Sequence, residues 1–219
     1  MYDSKKVVSN QPGVHERLVE YVKKHMACDY RKPCREHNRE AFATFERELA
    51  SRSPATLILD SCCGTGMSTR ILAQRNPEAF VVGVDQSEHR LNKYSESEPE
   101  NCLFLRANCE DVWRLFVQNN IVFDEHFILY PNPWPKSVQF KRRWQGHPVF
   151  PVLPELSKTI TLRSNWQTYL DEFALAWQVL TGVEGSAEPI VVDDAMTLFE
   201  KKYAGSEQPL FELVLSKQL

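Results

Sequence analysis

The feature that most constrains this chain is a repeated switch of rhythm that begins after Pro54. "ATLILD" (55–60) is a short apolar run closing on an acid, followed by "SCCGTG" and then a helical pattern, "MSTRILAQR". "FVVGVD" (80–85) closes on a second acid and leads into "QSEHRLNKY". "CLFLRAN" (102–108) is a third run and "EDVWRLFVQ" (110–118) its helix, while "FDEHFILYPN" (123–132) is a fourth run. "TITLRS" (159–164) precedes the helical "WQTYLDEFALAWQVL" (166–180), and "PIVVDD" (189–194) and "PLFELVL" (209–215) close the series. Strands that alternate with helices build right-handed βαβ units and a mainly parallel sheet. The last two strands have little helical pattern between them, which predicts a hairpin-like antiparallel pair at the sheet edge.

Before Pro54 the period is helical throughout. Val14, Leu18, Tyr21 and Val22 share one face of residues 14–25, and Ala41, Phe42, Phe45 and Leu49 share one face of 35–50. Lys32-Pro33 separates the two helices. The expected organisation is an N-terminal helical extension, 1–52, followed by one α/β domain, 53–219. A chain of 219 residues is long enough for a sizeable core.

A net charge of −3 gives no global positive field. No apolar run approaches a membrane span, and "MYDSKKVVSNQPG" lacks the apolar core of a secretion signal. The expectation is a cytoplasmic protein, a monomer or homodimer with no membrane partner. Its six cysteines then read as free thiols. His25, Cys28, Cys34 and His37 stand in an H-x2-C-x5-C-x2-H spacing that could hold zinc. The spacing is unlike common structural sites and falls on a helix-turn-helix, so helix-face and turn roles are preferred and no metal is expected.

Ligands of such sheets bind beyond the carboxyl ends of the strands. The unusual residues fall there. Asp60 ends the first strand, and Gly64 and Gly66 let the chain turn tightly beside a ligand. Asp85 ends the second strand, where a carboxylate can accept from ribose hydroxyls. Asn108 ends the third, where an amide could meet an adenine edge. Gly64-Thr65-Gly66 is followed by Thr69 where the dinucleotide fingerprint has its third glycine, so no pyrophosphate cradle is specified. A nucleoside cofactor without phosphates fits better, and S-adenosylmethionine is the obvious one.

The fourth strand exits through "YPNPWPK" (130–136), too rich in proline to continue a central strand. With these pieces the chain resembles the class I S-adenosylmethionine-dependent methyltransferases, and more narrowly the tRNA (guanine-N7)-methyltransferase family. That family carries P-D-P-W-x-K after strand four and then a basic run; here stand Pro131-Asn132-Pro133-Trp134-Pro135-Lys136 and Lys141-Arg142-Arg143. Its T-D-W segment appears as Ser164-Asn165-Trp166, and its T-x-F-E element as Thr197-Leu198-Phe199-Glu200. The family usually has Glu at Asp60 and Asp at Asn108, Asn132 and Asn165.

The resemblance implies a Rossmann-like fold: a mainly parallel seven-stranded sheet, an antiparallel edge pair, and helices on both faces. It implies S-adenosylmethionine held by Asp60, Cys62, Gly64, Gly66, Asp85, Gln86, Asn108, Cys109 and Asn132, with Asn132 at the reacting centre. It places Trp134, Lys136, Asn165, Thr197 and Glu200 around the accepted base, and Lys141, Arg142 and Arg143 on tRNA. The charge distribution agrees: between 136 and 163 six basic residues face one acid, whereas from 171 onward nine acids face three lysines. Because guanine N7 has a free lone pair, transfer to it needs alignment more than a base. The exchange of carboxylate for amide at Asn132 keeps two rivals open. One is a methyltransferase acting on an exocyclic amine of RNA or on a small molecule. The other is a non-catalytic module that binds cofactor or RNA.

Overall fold

The computed structural model describes residues 4–93 and 98–217. Two helices, α1 (Leu18–Met26) and α2 (Glu36–Arg52), precede the first strand, β1 (Thr56–Ser61). Helix α3 (Met67–Arg75) leads to β2 (Ala79–Asp85), the single turn α4 (Glu88–Leu91) to β3 (Cys102–Arg106), and α5 (Cys109–Gln118) to β4 (Phe123–Leu129). Short 3-10 turns from Ser137 to Val152 and the turn α6 (Leu153–Leu156) reach β5 (Ser157–Ser164). Helix α7 (Gln167–Thr181), β6 (Glu188–Ile190), α8 (Leu198–Ala204) and β7 (Leu210–Ser216) complete the chain. The sheet has seven strands in the order β3-β2-β1-β4-β5-β7-β6. Pairings among β1, β2, β3 and β4 are parallel, and β7 runs antiparallel to β5 and β6. The expected α/β class and antiparallel edge are therefore present.

Three differences from the sequence pattern have local causes. The strand expected over 123–132 stops at Leu129, because Tyr130 adopts a left-handed φ of 52°. The helix expected from Val14 begins at Leu18, because the His15 amide is drawn to the Glu172 carboxylate at 3.0 Å instead of entering a helical turn. The last two strands are not a plain hairpin, since α8 lies in their connection.

The chain divides into two compact units. The first comprises Lys32–Leu129 with Glu155–Lys158. Its core is aromatic: Phe45 and Phe116 meet edge-on at 4.9 Å, as do Phe116 and Phe123 at 5.0 Å. Phe42 and Phe45 are the apolar stripe of α2, so that helix is fixed by burial against α5 and the sheet strands. Gly83 in β2 is needed for close packing of α3: a Cβ there would sit 2.5 Å from the Thr69 hydroxyl. The register sets Asp60 opposite Gly83 and Asp85 opposite Arg106, which gathers the carboxyl ends of β1, β2 and β3.

The second unit takes the N-terminal segment through Arg31, Tyr130–Pro154, and the chain from Thr159. Helix α1 buries Leu18 and Val22 and packs against α7, whose Tyr169, Phe173 and Trp177 are also buried. Residues 1–52 are thus shared out: α1 belongs to this unit and α2 to the other.

Candidate active site

The first unit presents the expected cofactor residues. Asp60 is buried, and its Oδ2 accepts from the hydroxyls of Ser68 at 2.6 Å and Thr69 at 2.7 Å. Its Oδ1 is buried with no partner among the described residues. Burial pushes this carboxyl up to about 6, against the lowering effect of the two hydroxyls. A buried acceptor without a donor is costly, by about 1–3 kcal/mol, and is relieved when a ligand donates to it.

Gly66 opens α3 with φ 76°, and a Cβ there would collide with the Phe104 ring at 2.4 Å. Gly64 has φ 62°, but its Cβ direction is open apart from the Arg90 guanidinium at 3.9 Å. The first glycine of the pair therefore leaves room beside the loop and the second serves packing. Asp85 braces that loop. Its Oδ2 accepts from the Gly64 amide at 3.0 Å, while Oδ1 accepts from the Ser87 amide at 2.8 Å and pairs with Arg90 at 2.9 Å. Oδ2 retains a further acceptor position.

Asn108 precedes α5, and its Nδ2 donates to the exposed Gln86 Oε1 at 3.2 Å, joining the ends of β3 and β2. Cys62 sits at φ 61° with its Sγ 3.8 Å from the Cys109 Sγ. The contact with Cys62, reinforced by burial, pushes the Cys109 thiol well above its usual range. The eight cofactor residues expected in this unit thus stand at the carboxyl ends of β1 and β2 and on the segments that follow β1, β2 and β3.

One contributor was missed in the sequence pattern. Asn38 is fully buried on α2; its Oδ1 accepts the Asn108 amide at 2.9 Å and its Nδ2 donates to Asp111 at 2.6 Å. It occupies the position one turn before Phe42 on the apolar stripe. A polar residue in that place is the available signal.

The second unit presents the residues expected on the acceptor side. Asn132, Pro133, Trp134, Pro135, Lys136 and Gln139 line an open cleft of about 420 Å³. Two residues of the strand exit are strained: Tyr130, just before the cleft residues, has φ 52° and Trp134, within them, φ 45°, each uncommon for a bulky residue. The Trp134 ring is half-buried and carries the Arg142 guanidinium 4.7 Å over its face.

Two expected contacts are corrected by burial. Arg143 is not an RNA contact, because it has no exposed surface. Its Nη1 forks onto both oxygens of the equally buried Glu172, at 2.7 and 2.6 Å. Its Nε and Nη2 donate to the Trp134 carbonyl at 3.1 and 3.0 Å, which pins the left-handed residue in place. Glu200 does not line the cleft either. It is fully buried and accepts from the Tyr130 hydroxyl at 2.9 Å, Arg163 at 2.9 Å and the Met196 amide at 2.6 Å. Burial, and then the Glu200 charge, push the Tyr130 hydroxyl above its normal range, so it stays a donor.

Of the remaining residues, Thr197 caps α8 by accepting the Glu200 amide at 3.0 Å, and Asn165 donates to Gln208 at 2.8 Å. Neither is among the cleft-lining side chains. Glu172, the centre of the Arg143 network, was overlooked because an acid in a helix, here beside Asp171, reads as solvent-facing. Its place between Tyr169 and Ala176 on the buried face of α7 is the clue. His25 meets the Gly146 carbonyl at 3.3 Å, and among the described residues no three His, Cys, Asp or Glu side chains converge as metal ligands.

A methyltransferase family model, Methyltransf_4, described as "Putative methyltransferase", matches residues 54–213. The chain belongs to that family. The chain is similar to curated tRNA (guanine-N(7)-)-methyltransferases; one from Neisseria gonorrhoeae is 28% identical over 122 residues, covering 52% of this chain and 51% of that protein. It is also similar to a trans-aconitate 2-methyltransferase from Afipia carboxidovorans, 34% identical over 111 residues, covering 49% of this chain and 41% of that protein. The matched stretches thus span about half or less of those relatives' length. Among solved structures, the 16S rRNA methyltransferase KamB superposes with a TM-score of 0.58 at 15% identity, covering 86% of this chain and 96% of that one. At that identity the likeness is one of fold.

The methyl donor of this class is S-adenosylmethionine, and the first unit suits it. The unpartnered Asp60 Oδ1 awaits a donor, the Gly64 face is open, and Asp85 keeps an acceptor position.

Proposed function

We propose that the protein is an S-adenosylmethionine-dependent methyltransferase that modifies N7 of a guanine in tRNA. The observation that carries the reading is the cleft lining. Asn132, Pro133, Trp134, Pro135, Lys136 and Gln139 offer an aromatic face and amides but no carboxylate or imidazole. Such a cleft has no general base, so it suits an acceptor that already carries a free lone pair. Guanine N7 is one. The names of the curated relatives support the same substrate.

When bound, the donor supplies an electrophilic methyl group on a sulfonium. Asp60 would take its ammonium on the unpartnered Oδ1, and Asp85 a ribose hydroxyl on Oδ2. Gln86 and Asn108 would meet the adenine edge, with Cys62, Gly64 and Cys109 forming the walls and Gly66 packing the loop against Phe104. On the acceptor side, Trp134 would stack on the base and Asn132 would orient it through one acceptor and one donor group. Lys136, Lys141 and Arg142 would take phosphates, while Arg143 acts from beneath by fixing the Trp134 carbonyl. Because no proton must be removed, positioning carries the catalysis and can supply about 7–11 kcal/mol of the barrier.

The test is transfer of labelled methyl from S-adenosylmethionine to total tRNA, followed by digestion. Label in 7-methylguanosine is expected. A methylated exocyclic amine in the digest would move the acceptor to the edge that an Asn-Pro amide can also hold. Label taken up by a metabolite extract and not by tRNA would overturn the RNA reading.

A further inference from the structure

The second unit contains a feature that the cofactor and acceptor residues do not use: the N-terminal segment is tied along the acceptor wall. At one end the Gln208 Nε2 donates to the Ser4 carbonyl at 2.7 Å and to its hydroxyl at 2.6 Å, and Gln208 also accepts from Asn165. At the other end Ser9 donates to the Pro135 carbonyl at 2.6 Å, and Asn10 accepts the Ser137 amide at 3.0 Å. Gln11 then joins the Arg143–Glu172 pair. The segment therefore runs from Gln208, the partner of Asn165, to the "NPWPK" stretch that lines the cleft, fixed at both ends by side-chain hydrogen bonds.

Between those anchors lie Lys5 and Lys6, both exposed. They continue a series of exposed cations: Lys136 beside Pro135, Lys141 with its Nζ 5.1 Å over the Tyr21 ring, and Arg142 over Trp134. Among the described residues none of these five is ion-paired. Aromatic faces position two of them without neutralising them. Five unpaired cations in a chain of net charge −3 form a local field that the total conceals.

We infer that Ser4–Gln11 is a strap that places Lys5 and Lys6 on the rim of the acceptor cleft to bind the phosphate backbone of RNA. The inference rests on the tRNA reading for its partner. An anchored strap loses less freedom on binding than a loose tail, so its lysines contribute more affinity per charge. A small anionic substrate would need one or two of these cations, not a series shared between the cleft lining and the Ser4–Gln11 segment.

The experiment measures binding of bulk tRNA by fluorescence anisotropy across a salt series, with methyl transfer run in parallel. The K5A/K6A variant should weaken binding several-fold at low salt and reduce the salt slope by about two, one per lost phosphate contact. Because both lysines are exposed, the variant should fold normally. A second variant, S9A/N10A, keeps the lysines but frees the strap, and should also weaken binding. The inference is overturned if K5A/K6A binds tRNA with unchanged affinity and slope, even while the wild type methylates tRNA. It stands, and the guanine reading falls, if binding depends on the lysines but tRNA takes up no methyl. Absence of wild-type tRNA binding at low salt overturns both.

Discussion

Two buried acids, one in each unit, sit in similar surroundings and are used in opposite ways. Asp60 receives two hydroxyl donors on one oxygen and none on the other. Glu172 receives a forked guanidinium, two side-chain amides and a backbone amide. A saturated carboxylate has nothing left for a ligand; its work is to hold chain segments together. A half-satisfied one retains a strong acceptor whose cost is offset only when a donor arrives. By that measure Glu200 resembles Glu172, which is why the acceptor site we propose lies at the "NPWPK" cleft and not at Glu200. Asp85 is intermediate, with a brace on each oxygen and room on one.

The largest expected effect would come from breaking the saturated pair. Arg143→Met leaves Glu172 charged and buried and releases the Trp134 carbonyl, and should cost about 3–5 kcal/mol in denaturant unfolding. The double variant R143M/E172L should recover much of that stability but not the activity, since the Trp134 carbonyl stays unheld. A single-variant loss below about 1 kcal/mol would dissolve the contrast between scaffold and ligand acids.

Asp60 should give a pH signature of opposite kind. Its folded value of about 6 lies above the ordinary carboxylate value of 3.8. Stability from this group is therefore complete below about pH 4 and declines as pH rises through about 6. The roughly two-unit displacement corresponds to about 3 kcal/mol. Asp60→Asn should remove that decline, so the variant gains on the wild type between pH 4.5 and 7.5. Affinity for S-adenosylmethionine should run the other way in the wild type. It should rise over the same interval as the carboxylate forms to meet an ammonium, and be flat in the variant. A parallel pH dependence in both proteins would remove Asp60 from the donor site.

Asp85→Ala should weaken S-adenosylmethionine binding more than tenfold by calorimetry, the loss of a charge-assisted contact being about 1.5–3 kcal/mol. Unchanged affinity would assign Asp85 wholly to bracing Gly64 and Ser87, and place it with Glu172.

The contrast also explains what could be read from the sequence. Three parallel strands that carry Asp60, Asp85 and, two residues past the end of β3 at Arg106, Asn108 to one edge of the sheet were legible because period and strand-end chemistry are local, and their convergence follows from parallel register. The antiparallel edge was legible for the same reason. Arg143 and Glu200 were misplaced because a motif fixes position in the chain but not accessibility. Arg143 follows Lys141 and Arg142, both exposed, yet the 3-10 turn of Ser137–Arg142 ends just before it and aims it inward. Glu172 and Asn38 are polar residues on apolar faces, and only the partner from a distant segment reveals why each is tolerated.

Asn132 offers the smallest and most discriminating change. It is exposed, its side chain lines the cleft, and it replaces the acid usual in the resembling family. Asn132→Asp should alter stability by less than about 0.5 kcal/mol, as expected for an exposed site. If the cleft holds guanine, a carboxylate can accept from both the ring N–H and the exocyclic amine, and it balances the positive charge the base acquires. Charge-assisted bonds are about twice as strong as neutral ones, so kcat/KM on tRNA should rise by about fivefold, near 1 kcal/mol. If the cleft instead holds an exocyclic amine through the amide oxygen, the added charge brings no second donor to accept from and the rate should not rise. Steady-state transfer with both proteins, with the product nucleoside identified, decides between the two. A rise would mark the amide as a tuned-down guanine contact, whereas a fall would make it the selective element of a different acceptor.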